Sequence, residues 1–156
     1  MQKEAIEAMP QDCVNQLDAA VAEVFELMLG KTCAPIEVSN SFDTGVASTI
    51  EISGGLIGSC CLNLSSSAAE NAMSALVGEC PENHEEMLED TAGELCNMIV
   101  GTWKSKLSPA QASSKLSVPN TRSESDQRVN ASLQRIYSVD GSLLAMTLTF
   151  RNSDTS

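Results

Sequence analysis

The sequence predicts an α+β domain: an antiparallel sheet with helices packed on one face, built from two pseudo-symmetric halves. Three observations carry this. Apolar residues recur at helical spacing in three segments and alternate at strand spacing in two pairs of segments. Glycine turns at Gly54-Gly55 and Asp140-Gly141 fold the strand segments into hairpins. The end of the first helical segment also recurs, position by position, within the third.

The first helix is expected over 11–29, where Val14, Leu17, Val21, Val24, Phe25, Met28 and Leu29 recur at helical spacing and Gly30 supplies a stop. A connector containing Pro35 follows. Val46, Ser48, Ile50 and Ile52 alternate along one strand; Leu56, Cys60, Leu62 and Leu64 continue the pattern on its return. Ser65 to Ser67 open a second helix running to about Val77, where Gly78, Pro81 and Asn83 break it. The third helix spans 84–107. Lys115 to Val118 read as a short strand ended by Pro119, and 120–126 as a polar loop. Val129, Ala131, Leu133 and Tyr137 share a face of the next strand. After the Asp140-Gly141 turn, Leu144, Met146, Leu148 and Phe150 share a face of the last.

A chain of 156 residues, 42% hydrophobic, suits a single domain over 1–156 with an ordered core at 11–151. Residues 1–10 and 152–156 are polar ends expected to fray. With 3% aromatic residues, the core must be aliphatic. A net charge of −12 argues against nucleic acid and against an anionic membrane surface, since both call for Lys and Arg. No apolar run reaches membrane-spanning length, and 1–10 lack the basic start and apolar stretch of an export signal. The six cysteines therefore read as reduced, with Cys13, Cys60 and Cys96 at core-facing positions, and the localisation as cytoplasmic. Cys80 and His84 are two potential ligands and do not make a metal site. His84, the single histidine, reads as an exposed residue near a helix start and has no nucleophile to activate.

The repeat aligns Ala22-Glu23-Val24-Phe25-Glu26-Leu27-Met28-Leu29-Gly30 with Gly93-Glu94-Leu95-Cys96-Asn97-Met98-Ile99-Val100-Gly101. Small, acidic, apolar and glycine positions correspond; Glu26 stands where the second copy has Asn97.

On a helical wheel of about 3.6 residues per turn, Leu88, Ala92, Leu95, Cys96, Ile99 and Trp103 form the core stripe of the third helix. Glu86, Asp90, Glu94, Asn97, Gly101 and Lys104 lie opposite. Asn97 competes for backbone hydrogen bonds in mid-helix, and Gly101 weakens the helix one turn later. Either a partner surface comes close here, or the strip is merely solvated and Gly101 packs against a neighbour within the chain.

Asp90-Thr-Ala-Gly-Glu94-Leu-Cys-Asn97, together with Met98-Ile99-Val100-Gly101, resembles the Asp/Ser-x-x-x-Glu-x-x-Asn signature of the CheC/CheX/FliY phosphatases, and the order of elements resembles CheX. The resemblance implies a phosphatase acting on the aspartyl-phosphate of a CheY-like response regulator in chemotaxis or related signalling. It implies Glu94 and Asn97 as the catalytic pair, with Asp90, Glu94, Gly101 and Lys104 contacting the partner. It implies no cofactor on this chain, Mg2+ on the partner receiver, and a homodimer formed through sheet edges, for which the strands near 129–137 and 144–150 are candidates. The corresponding first-half pair, Glu23 and Glu26, lacks the asparagine and reads as catalytically silent. A non-catalytic module that binds a response regulator, and a structural dimerisation domain, stand as alternatives.

Overall fold

A computed structural model describes residues 11–37, 44–54, 57–78, 82–107, 115–117, 119–122 and 133–151. Helix α1 (Gln11–Val24) runs into a π-turn (Phe25–Leu29), and strand β1 (Cys33–Ile36) follows. The hairpin of β2 (Thr44–Ser53) and β3 (Ile57–Ser65) leads to α2 (Ser66–Val77), α3 (His84–Ser105), β4 (Lys115–Leu116) and β5 (Asn120–Arg122). The hairpin of β6 (Leu133–Val139) and β7 (Ser142–Arg151) completes the order.

The strands form one antiparallel sheet in the order β1-β6-β7-β3-β2-β4, with β5 also paired to β2. Exchanging the halves leaves this order unchanged: β1 takes the place of β4, β6 of β2, and β7 of β3. The order is consistent with the pseudo-two-fold that the sequence repeat suggests. At the centre β3 pairs with β7, placing Cys60, Leu62 and Leu64 opposite Leu148, Met146 and Leu144. These residues meet Leu17, Val21, Leu95, Cys96 and Ile99 from the helices in one mostly aliphatic core, which also takes in the aromatic rings of Phe25, Trp103 and Tyr137.

Local signals account for most boundaries. Ser65 caps α2, its hydroxyl accepting from the Ala68 N–H at 3.2 Å. The two-residue turn between β6 and β7 places Asp140 at φ +51° and Gly141 at φ +81°, which is why Asp-Gly stands there.

Four expectations are corrected. The first helix does not run uniformly to Leu29: its last turn is widened, leaving Met28 46% exposed, before Gly30 closes it at φ +66°. The Pro35 connector contains β1, which pairs with β6 from Cys33↔Val139 to Ile36↔Ile136. Asn120–Arg122, read as loop, pair with β2 as β5. Finally, β7, one of the two strands nominated as a dimer edge, is not an edge: it is flanked by β6 and β3. β6 is covered by β1 only along Ile136–Val139, and among the described residues Leu133–Arg135 have no strand on that side. Both outer ends of the sheet are short strands, and Pro35 interrupts the N–H pattern of β1, a device that blunts edges. Val129, Ala131, Cys80 and the two chain ends lie outside the described residues.

Candidate functional site

Helix α3 is the longest helix of the fold. It packs on the sheet through β2 and is flanked by α1 and α2. Ala92, Leu95, Cys96, Ile99 and Trp103 form the expected stripe, each at most 1% exposed, while Leu88 is partly buried. Thr91, Gly93 and Val100 are buried too, so the covered face is wider than the stripe read from the sequence. Two anchors set its position. The Trp103 indole N–H donates to the Cys13 carbonyl at 3.0 Å, tying α3 to α1. His84 Nε2 lies 2.7 Å from the Glu70 carboxylate, tying the first residue of α3 to α2; the histidine expected to be exposed is thus half-buried and engaged.

What remains open is a narrow strip. Asp90, Glu94 and Asn97 are exposed along it, and Gly101 and Lys104 continue it half-buried. The structure therefore brings all five expected residues onto one line, since residues three and four apart are neighbours on a helix. Glu94 and Asn97 are separated by about 4.5 Å of helix rise. Among the described residues, no hydrogen bond or ion pair engages Asp90, Glu94 or Asn97. The carboxylate and the amide are thus free to meet an external group.

The strip contains two residues that weaken its own helix. Asparagine costs some tenths of a kcal/mol and glycine about 1 kcal/mol relative to alanine. Apart from its chain neighbours and its own helix backbone, a methyl group added at Gly101 would meet no atom within 4 Å, so among the described residues no other element packs against it there.

The corresponding face of the first half is arranged differently. Glu23 is held by Lys106 at 3.0 Å, just beyond the end of α3. Glu26 falls in the π-turn, where the helical register changes. Lys106 escaped the sequence analysis because nothing local links it to a residue so distant in the chain. Among the described residues, no group of three His, Cys, Asp or Glu gathers to hold a metal ion. Nor is any described helix long and apolar enough to cross a membrane.

Comparison with known proteins gives this geometry a family. The family model for chemotaxis phosphatase CheX matches residues 46–140, more than half of the chain. The chain belongs to the CheX chemotaxis phosphatase family. All of α3 lies within the matched region, and α1 lies outside it. A comparison of the sequence with curated proteins finds no match. Among solved structures, the fold is similar to the chemotaxis protein CheX of Vibrio vulnificus at 21% identity and a TM-score of 0.76, covering 90% of this chain and 97% of that one. It is similar to a CheC-like superfamily protein from a Shewanella species at 20% identity and a TM-score of 0.73, covering 92% and 100%. It also matches CheX in the CheX–CheY–BeF3–Mg2+ complex of Borrelia burgdorferi at 19% identity and a TM-score of 0.71, covering 90% and 99%. At these identities the structural likeness concerns the fold.

Proposed function

We propose that this chain hydrolyses the aspartyl-phosphate of a CheY-like receiver domain, using Asn97 to hold the attacking water and Glu94 to dock the helix. The observation that carries the reading is the unengaged Glu94–Asn97 pair on the one open strip of α3, in a chain of the CheX family.

Phosphoryl transfer depends mainly on positioning and on stabilising charge. The receiver brings its own divalent cation and lysine, and the Borrelia complex of CheX with CheY, BeF3 and Mg2+ supports that division of labour. This chain supplies the water's geometry. The Asn97 amide oxygen accepts from one O–H of the water and leaves a lone pair directed at phosphorus, opposite the aspartate oxygen. The new P–O bond forms as the aspartyl P–O bond breaks, giving phosphate and a free carboxylate, and the water's proton leaves with phosphate or solvent. An amide is no general base, and this route asks for none. Fixing the water in line removes on the order of several kcal/mol from the barrier. Glu94, one turn back, pairs with the receiver lysine. Asp90 and Lys104 lie at either end of the strip and contact the partner's surface.

The reading places the chain in the cytoplasm with its receiver. Self-association through the sheet has β1 and the β4/β5 side open to it.

The test is decay of receiver aspartyl-phosphate after loading with a small phosphodonor. Asn97→Ala should lower turnover by about 100-fold or more while receiver binding persists. Glu94→Ala should raise KM by about 10-fold. No acceleration by the wild type despite binding would leave a receiver-binding module; wild-type kinetics in both variants would remove the strip from the chemistry.

A further inference from the structure

Most of the other described glycines outside the helices have internal reasons to be glycine, as three of them show. Gly30 and Gly78 have φ of +66° and +93°. Gly45 sits at an irregularity in β2 beside the first turn of α2, where a Cβ would come within 2.8 Å of the Ser66 backbone. Gly101 has neither reason. It lies inside α3, its φ is not among the positive ones, and a Cβ there would meet nothing within 4 Å. As far as the isolated fold is concerned, alanine would serve the helix better.

Its position says what the glycine accommodates. Gly101 is four residues beyond Asn97 on the same strip, about 6 Å further along the axis. A water held by Asn97 must sit about 2.7–3.2 Å from the amide, so a surface that delivers a phosphoryl group to that water also lies over Gly101. Lys104, half-buried one turn on, bounds the gap on its far side.

We propose that Gly101 is a docking notch for the main chain of the receiver, and that its depth sets how far Asn97 reaches toward the phosphoryl group. This rests on the phosphatase reading and adds to it a specificity-determining residue. A partner side chain would give way to a methyl group by rotating. A loop backbone resting on the glycine Cα at C–H···O distance, about 3.3–3.6 Å, has no such freedom. A methyl group there lifts the receiver off the helix and draws the water out of line. The notch therefore favours receivers whose loop passes low over α3 and works against those with a bulky insertion there.

The experiment measures three quantities for wild type, Gly101→Ala and Gly101→Leu. These are the melting temperature, the affinity for a CheY-like receiver loaded with BeF3 and Mg2+, and kcat/KM on the phosphorylated receiver. Gly101→Ala should melt about 2–4 °C higher yet lose about 10-fold or more in kcat/KM, with weaker receiver affinity; Gly101→Leu should lose more. A rise in melting temperature rules out misfolding as the cause of lost activity. Wild-type affinity and kcat/KM in both variants would overturn the notch while leaving the phosphatase in place. Failure of the wild type to bind or dephosphorylate any receiver would overturn both. If the wild type binds without turnover, the affinity comparison alone decides the notch.

Discussion

The Lys106 ammonium lies 3.0 Å from the Glu23 carboxylate, the first-half counterpart of Glu94. Of the two aligned glutamates, Glu94 is thus open to the outside, while Glu23 is neutralised by a lysine just beyond the end of α3. The backbone differs as well. Ile99 and Val100 are fully buried in α3, whereas their counterparts Met28 and Leu29 lie on the π-turn, with Met28 46% exposed and Leu29 only partly buried.

These differences lead to the prediction that restoring the asparagine alone does not make the first half a site. Glu26→Asn, placed in an Asn97→Ala background, should leave dephosphorylation at the level of Asn97→Ala, because the π-turn aims position 26 differently and Lys106 still holds Glu23. The same phosphodonor assay reads it. Recovered turnover would mean that the first half is a competent site lacking only its asparagine.

A second prediction concerns the polar cluster that fastens α1 to the sheet. Asp18 accepts from Tyr137 Oη at 2.7 Å and from Arg135 Nε at 3.1 Å, with the Arg135 Nη2–Asp18 Oδ2 contact completing a fork. Burial, reinforced by the Asp18 hydrogen bond, pushes the Tyr137 phenol well above its ordinary value. A raised folded-state pKa means that the unfolded chain loses this proton first. The stability is therefore complete below about pH 10, the unfolded value, and falls as pH rises beyond it. Tyr137 is the single tyrosine, so tyrosinate absorbance should stay silent until the chain unfolds and then appear with the loss of helical circular dichroism. Tyr137→Phe should remove the tyrosine's share of the alkaline fall and cost about 1–2 kcal/mol at neutral pH. Tyrosinate forming in the folded protein near pH 10 would contradict the cluster.

The sequence carried the features with a strong local period or a short-range cause. Alternation placed β2, β3 and β7, Asp140-Gly141 placed a hairpin turn, and the wheel of α3 separated Leu95 and Ile99 from Glu94 and Asn97. It did not carry what long-range packing decides. β1 is four residues long and contains Pro35, so it has no alternation to read; only Tyr137 and its neighbours on β6 make it a strand. β5 exists because β2 has a free side at Ala47–Thr49. The π-turn is invisible to a periodicity that counts Met28 and Leu29 as ordinary helical positions. At the candidate site, the motif named the residues, but the narrowness of the strip comes from packing that also buries Thr91, Gly93 and Val100, which the wheel alone did not assign to the core.

The last prediction concerns the thiols. Cys13, Cys33, Cys60, Cys61 and Cys96 are buried and take part in no disulfide. Burial pushes Cys33 and Cys96 up to about 12, and Cys60 well above its ordinary value of 9.0. The thiolate is the reactive form, so at pH 8 Cys33, Cys60 and Cys96 are both buried and protonated, and Cys13 and Cys61 are buried. In a Cys80→Ser background, an aromatic disulfide reagent should label less than about one thiol per folded chain, and all five once denaturant is added. The sign of the linkage matches that of Tyr137: these thiols stabilise the fold fully below the unfolded value near 9 and contribute a loss that grows toward 12. Alkaline destabilisation in Tyr137→Phe should therefore persist, with an onset near pH 9. Rapid labelling of two or more thiols in the folded chain would contradict an aliphatic core that uses cysteine as a small hydrophobe.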